Sequence, residues 1–547
     1  MSRGILRRGI FSLPASYSEA KNSRETLAEG EEKMENTYRK TEVVEQPFCE
    51  SGTEYILPDY LGDIKKLLSS EARVIPSGKF VGGGEAQFAG IVEYTVLYLD
   101  KEGKLSSTVF TSDYELVCPT PEDSLIYADA DVRLSNLSVR VTGPRKISAR
   151  CAISCRVLRC ESASYEVGGD ALEGAELERY ERAVPIRYTT EGATFEREYA
   201  EEAERFEGKS VEELEILSSG GAVRIDEVRP VAGGVMITGE IEIGALLRTP
   251  DMASFAVRKT IPFEELVSIE EATGEGSATA DAFCSSVHAN LQSTEDGCAL
   301  AVSAIVEYHA TLEENRELLL LEDAYAVGRE TKNVYERFSY EELIETRKVQ
   351  IPLHAELPRA ECDAERVREI PHAALSARVS GVELVEEGVK VTVEAAFTLL
   401  GCEVTEAGEA IYAPYKLTVT NEQLLPLSLV DTEGVKVWWR AAFCGVKGML
   451  DAASLSADAI LQLSLVLTRE RSARVLKSCS FAEGEPSQKE SCEITVYYPE
   501  RGETLWQVAK RFRVSVSDIA KRNSLSESVA AMGAGGALDG IERLLLF

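Results

Sequence analysis

Along most of the chain, apolar residues recur at every second position. Gly90 to Leu99 reads GIVEYTVLYL, rich in β-branched and aromatic side chains. That period and composition predict a strand with one buried face. Asp100-Lys101-Glu102-Gly103 follows, then KLSSTVF, which is strand, short turn, strand. Val389 to Phe397 (VKVTVEAAF), Val435 to Phe443 and Ile460 to Thr468 (ILQLSLVLT) alternate in the same way. Longer hairpins are predicted from LSVRVTG with KISARCAISCRV, and from VHANLQSTEDG with ALAVSAIVEYHATL. Two short stretches, Ile64 to Leu68 and Val211 to Leu217, carry apolar residues at helical spacing instead and predict a helical opening for their blocks.

The strand-rich part is repetitive. Leu67-Leu68-Ser69-Ser70 corresponds to Ile216-Leu217-Ser218-Ser219, and Val74 to Val223. The first block closes on SYEVGG (Ser164 to Gly169) and the second on AYAVGR (Ala324 to Arg329). HAALSARVSGVELVEEGVKVTVEAAFTLLG, residues 372–401, opens a weaker third copy. Self-similarity at this spacing points to repeated domains, here antiparallel sandwiches or rolled sheets. The expected order is a flexible segment 1–35, repeats at 36–170, 171–330 and 331–482 with their leading linkers, a polar linker 483–493, and a different domain at 494–547. The fold class is mainly β, three antiparallel β-rich repeats, plus a small α+β C-terminal module of order βααβ. The repeats are expected to form an elongated scaffold. Leu172 to Ala183 and Tyr335 to Arg347 read as helical or extended connections.

The C-terminal module has its own pattern. Ile494 to Tyr498 is a short strand. Thr504-Leu505-Trp506-Gln507 matches a capping box, and Leu505, Val508, Ala509 and Phe512 form one apolar stripe. Ser515 starts a second helix with Asp518 in its first turn, and Asn523 stands where a left-handed cap would end it. Ile541 to Phe547 supplies a closing strand.

Charge separates the two parts. The chain has 59 Lys plus Arg against 92 Asp plus Glu, a net −33. From Ile494 onward seven bases meet six acids, so the tail is near neutral and the acidity lies in the body. Such a body repels phosphate backbones, which excludes generic nucleic-acid binding.

The chemistry of catalysis is sparse. The four histidines, His288, His309, His354 and His372, have no metal-ligand or triad spacing. Gly82-Gly83-Gly84 leads into a strand and reads as a turn or bulge, not a phosphate cradle, and Gly533 to Gly536 reads as a loop. Acid pairs such as Glu201-Glu202 and Glu264-Glu265 are expected by chance in so acidic a chain. No catalytic residue, cofactor or metal is assigned. The twelve cysteines form no CxxC pair; Cys151, Cys155 and Cys160 read as small buried thiols on a strand rather than a metal or redox site, and the compartment as reducing. Trp438 and Trp439 point to opposite faces of a strand, one into the core and the other outward or into an inter-domain contact; burial of both between domains is the other reading. Arg3, Arg7 and Arg8 precede an apolar stretch broken by Gly9, Ser12 and Pro14, too short for a signal peptide, and no run reaches membrane-span length.

TVYYPERGETLWQVAKRFRVSVSDIAKRNSL resembles the LysM module through Gly502-Glu503-Thr504-Leu505-Trp506, Ala509, Phe512, Val514, Asp518, Ile519 and Asn523. The chain departs from the family after Asn523, where SLSESVAAMGAGGALDG lengthens the loop. The resemblance implies a binding groove at Gly502, Glu503, Thr504 and Leu505 on one side and at Asn523, Ser524 and Leu525 on the other. Trp506 reads first as core of a small module and second as part of that groove. LPDYLGDIKKLL with EARV (57–74), VEYTVLYLD and EDAYAVG (Glu322 to Gly328), placed before a LysM tail, resemble SipL-type spore-coat morphogenetic proteins with repeated SPOCS domains. The resemblance implies a non-catalytic sporulation scaffold of the mother-cell cytoplasm that tethers the coat to the forespore surface. Its expected partners are a coat-basement ATPase like stage IV sporulation protein A and other coat proteins. The alternative is a protein that binds peptidoglycan or other N-acetylglucosamine polymers through the same groove. A wall hydrolase is the third and weakest reading, for want of His and nucleophile motifs.

Overall fold

A computed structural model describes residues 34–121, 123–173, 177–250, 253–405, 410–427, 431–482, 494–525, 538 and 541–546. The expectations for residues 1–33, the connection 483–493 and Gly533 to Gly536 lie outside them.

The first unit contains β1 (Met34–Ile56), β2 (Ile64–Gly82), β3 (Glu85–Asp100), β4 (Leu105–Pro119), β5 (Leu125–Gly143) and β6 (Lys146–Val167). They form two antiparallel sheets, β2-β3-β4 and β1-β6-β5. Alternate residues of both sheets, among them Tyr94, Phe110, Cys151, Ile153 and Cys155, fill the space between them. Gly83 and Gly84 both have positive φ and make the tight turn from β2 to β3, where any side chain would be strained.

The second unit repeats the plan with β7 (Leu177–Glu191), β8 (Phe195–Glu207), β9 (Glu215–Arg248), β10 (Ser254–Thr273), β11 (Ser277–Thr294) and β12 (Gly297–Ala326). β7 and β8 follow one another along β12 as one interrupted edge. β9 doubles back at Gly233, so that Gly239 lies against Arg224 and Ile225 and Gly221 against the Glu242 carbonyl. The third unit contains β13 (Thr331–Pro358), β14 (Val367–Val385), β15 (Gly388–Val404), β16 (Ala410–Pro426), β17 (Val435–Leu450) and β18 (Ser454–Phe481). Its sheets β14-β15-β16 and β13-β18-β17 have the order of the first unit.

Two local expectations are corrected. Ile64 to Leu68 is the start of β2, not a helix. Register shifts between Ile64 and Lys66 and between Leu67 and Ser69 break the alternation, so Ile64 and Leu67 pack into the sandwich while Leu68 packs into the seam between units, and the apolar residues on both faces mimic helical spacing. Val211–Glu213 is a single 3-10 turn, and Glu215 to Leu217 already belongs to β9. Of the two connections, Leu177 onward and Tyr335 to Arg347 are both strand.

The larger correction concerns assembly. The units do not run in a row; they close on one another. One apolar cluster joins Leu68, Leu97 and Leu105 of the first unit to Leu217 and Leu246 of the second and Leu400 of the third. A second joins the far ends of the last strand of each unit: Tyr165 and Val167, Leu318 and Leu320, Val475 and Leu476. Trp438 is buried against Tyr127, Leu158 and Cys160 of the first unit. Trp439 lies between the Arg133 and Arg156 guanidinium groups of the first unit, 4.0 and 3.9 Å from its ring centroid. The tryptophan pair is therefore a seam between units.

Charge crosses the same seams. Arg440 of β17 is buried and donates to Asp129 of β5 and Asp281 of β11, one residue from each unit. Burial alone would raise the Asp129 carboxyl, but Arg440 and His309 hold it well below the usual carboxylate range. His309 lies 3.2 Å from Glu191 and 3.9 Å from Asp129, and Lys79 lies 2.6 Å from Glu191. Asp129, Glu191 and His309 are close enough to hold a metal ion. Arg440 and Lys79 already neutralise the two carboxylates, so the chemistry of the set is that of an ion-pair network.

Arg440→Met leaves the largely buried Asp129 carboxylate without its main partner, Asp281 being part-exposed, and is expected to destabilise the body by about 1–3 kcal/mol, seen as a lower urea midpoint. The His309 contact has a defined pH dependence. Burial pulls its pKa down, but Asp129 and the bond to Glu191 outweigh this and raise it above the ordinary value. Its contribution is complete below about pH 6.5 and declines as pH rises through the folded value. His309→Gln should therefore flatten the alkaline fall of Tm between about pH 6 and 9; identical profiles for both proteins would refute the contact.

Candidate functional site

The C-terminal module contains β19 (Thr495–Tyr497), α1 (Leu505–Phe512), α2 (Val516–Arg522) and β20 (Leu544–Leu546), with β19 antiparallel to β20. The Thr504 hydroxyl accepts from the Gln507 backbone N–H at 3.3 Å, and the Gln507 side chain accepts from the Thr504 N–H at 2.9 Å. This is the capping box the residues predict. Leu505, Trp506, Val508 and Ala509 are buried. Arg513 takes the left-handed conformation at φ 54° and ends α1.

α2 departs from expectation at both ends. Ser515 makes no side-chain capping bond, so Asp518 contributes only its charge to the first turn. Asn523 is not left-handed (φ −97°); Ser524 is (φ 51°). The Asn523 amide still caps the helix, its Nδ2 donating to the Ile519 carbonyl at 2.8 Å, and it has a second role. Its Nδ2 donates to the Leu545 carbonyl at 2.9 Å, and its Oδ1 accepts from the Leu545 N–H at 2.7 Å. Asn523 thus bonds to β20 as a neighbouring strand would.

The seven candidate residues divide by role. Glu503 is buried and accepts from the Tyr497 hydroxyl at 2.8 Å, the Glu500 N–H at 3.1 Å and Arg511 at 2.8 Å. Leu505 is fully buried, and Leu525 packs against the same core. Thr504 and Asn523 hold backbone. Gly502 (φ 80°) and Ser524 remain exposed. Leu538 returns into the module, where its N–H donates to the Glu503 carbonyl at 2.9 Å and its side chain is buried. The open surface is a shallow cavity of about 570 Å³ lined by Glu500, Arg501, Gly502, Glu503, Gln507, Lys510 and Arg511.

What the sequence reading missed is a second face. Trp506 donates from Nε1 to Asp323 at 3.0 Å, and Lys510 reaches the same carboxylate at 2.6 Å. Asp323 also accepts from Tyr335 at 2.8 Å and Asn333 at 3.0 Å. Burial pushes the Asp323 pKa up, but Lys510, Trp506 and Tyr335 outweigh it and hold the carboxyl below its ordinary value. The Tyr325 ring meets Trp506 edge-on at 4.9 Å, and its hydroxyl donates to the Val514 carbonyl at 2.7 Å. Trp506 is thus buried between the module and the second unit. EDAYAVG carries Asp323 and Tyr325, but nothing in one sequence pairs it with Trp506.

The three cysteines of the Cys151 to Cys160 group are inert by position. Cys151 and Cys155 face the interior of the first sandwich, where burial pushes the Cys155 thiol up to about 12. Cys160 faces the other way, into the seam with Trp438.

Two segments match known families. Residues 214–292, from just before β9 nearly to the end of β11, match the SipL SPOCS domain. Residues 500–531 match the LysM domain. The chain thus carries one segment similar to a SPOCS domain and, near its C-terminus, one similar to a LysM domain. It fits the SipL type, and both domain families are non-catalytic. No curated protein and no solved structure matches it. Among the described residues, no helix is long and apolar enough to cross a membrane.

Glu503→Ala removes the acceptor of three donors and is expected to destabilise the module by about 1–3 kcal/mol. Hydrogen exchange should accelerate in residues 495–525, while the exposed change Arg501→Ala leaves it unmoved.

Proposed function

We propose that this chain is a non-catalytic adaptor of sporulation. Its three-unit β body is the rigid part, and its LysM domain docks a protein of the coat basement, such as an ATPase like stage IV sporulation protein A. Acting in the mother-cell cytoplasm at the forespore surface, it tethers the coat to that surface. The observation that carries this reading is the pairing of a SPOCS match and a LysM match in one chain. The exposed side chains around the module's open cavity support it. They are Glu500, Arg501, Gln507 and Arg511, charged or amide groups suited to a polar protein surface. Trp506, which could stack on a sugar, is turned inward.

The second reading is peptidoglycan binding, favoured by the LysM match itself. The two are separated by offering the purified full-length chain both the ATPase and peptidoglycan. Capture of the ATPase, weakened at least about tenfold (1.4 kcal/mol) by Arg501→Glu with Ser524→Arg, is the expected result. Retention on peptidoglycan without capture of the ATPase would overturn the proposal.

A further inference from the structure

The joint between the LysM domain and the second unit is built like the joints inside the body. The first unit ends on Tyr165-Glu166-Val167-Gly168 and the second on Tyr325-Ala326-Val327-Gly328. In the first, the Tyr165 hydroxyl donates to the Leu476 carbonyl at 2.8 Å and the Gly168 N–H to the Lys477 carbonyl at 3.0 Å. Both acceptors lie on β18 of the third unit. In the second, the Tyr325 hydroxyl donates to the Val514 carbonyl at 2.7 Å and the Gly328 N–H to the Arg513 carbonyl at 2.9 Å. Both acceptors lie in the turn after α1. The same tyrosine and glycine thus grip consecutive carbonyls of the neighbour, and at the second unit that neighbour is the LysM domain.

What distinguishes the second joint is Asp323. It gathers Trp506 and Lys510 of α1 together with Tyr335 and Asn333 of β13 around one half-buried carboxylate. Arg513 adds an ion pair to Glu330 at 3.1 Å. A carboxylate satisfied from two directions fixes the angle at which α1 meets the body. We propose that Asp323 is a positioning residue. It locks the LysM domain in one pose, makes Trp506 part of an internal joint, and leaves a partner to meet the module on its Arg501–Gln507 side. The inference deepens the docking role argued above and rests on it only for the consequence to partner capture.

The test uses the full-length chain. Acrylamide quenching of Trp506 is isolated as the difference between each protein and its Trp506→Phe counterpart, which subtracts Trp438 and Trp439. Asp323→Ala should raise that quenching at least about twofold and Tyr325→Phe should raise it less, with the Tm of the body unchanged in both. Capture of the purified coat-basement ATPase should fall about tenfold in Asp323→Ala and recover in part in Asp323→Glu. Quenching that stays at the wild-type level in Asp323→Ala would overturn the joint. An opened joint with undiminished capture would overturn the positioning role. If the joint opens in Asp323→Ala but the wild type captures no ATPase, the joint stands and only the docking role falls.

Discussion

One guanidinium holds the architecture to a single solution. Arg440 is buried where the three units meet, and it is balanced only when Asp129 and Asp281 both stand beside it. A buried charge without its partners is too costly to tolerate. The position therefore specifies that unit three faces unit one and unit two together. The apolar clusters supply most of the attraction between units, but leucine contacts are permissive about angle. The charged centre, with His309 and Lys79 at its edge, is not.

The same logic governs the C-terminal module. So small a module has a limited core of its own, and here it borrows from the body. Tyr180, Tyr325 and Val327 complete the cluster around Trp506. The module is thereby an outgrowth of the second unit more than a bead on a string. The charge contrast between acidic body and near-neutral tail follows the surfaces, not the joint, where acid meets base.

Much of this was legible from residue pattern. Period-two alternation located the strands of each repeat, and Thr504 with Gln507 announced the start of α1. Local pattern failed where a strand bulges, as at Ile64 to Leu68, because two register shifts put apolar residues on both faces and hide the period of two. At Asn523 it located the cap but not the left-handed turn, which falls on Ser524, nor the bonds to β20, because the same amide does both jobs. The closure of the units on one another was invisible for a different reason. Leu68, Leu217 and Leu318 sit in the same alternation as residues of the sandwich interiors, and only three dimensions reveal which apolar face meets a neighbour. Glu503 and Leu505 were chosen as groove residues by resemblance; the buried Leu505 side chain serves the core, and the Glu503 carboxylate ties Tyr497 and Arg511 together at the edge of the open cavity.

The end of the first unit has a consequence for biosynthesis. Gly168 is bridged to Ser478, more than three hundred residues later on the ribosome's schedule. Until β18 has been made, Tyr165, Val167, Leu318 and Leu320 have no third wall to bury them. The nascent chain must carry two finished sandwiches with sticky, unmet ends while the last one is translated. The body is then completed in one late step rather than domain by domain, and a chain broken off before β18 is a substrate for chaperones and proteases rather than a shorter scaffold.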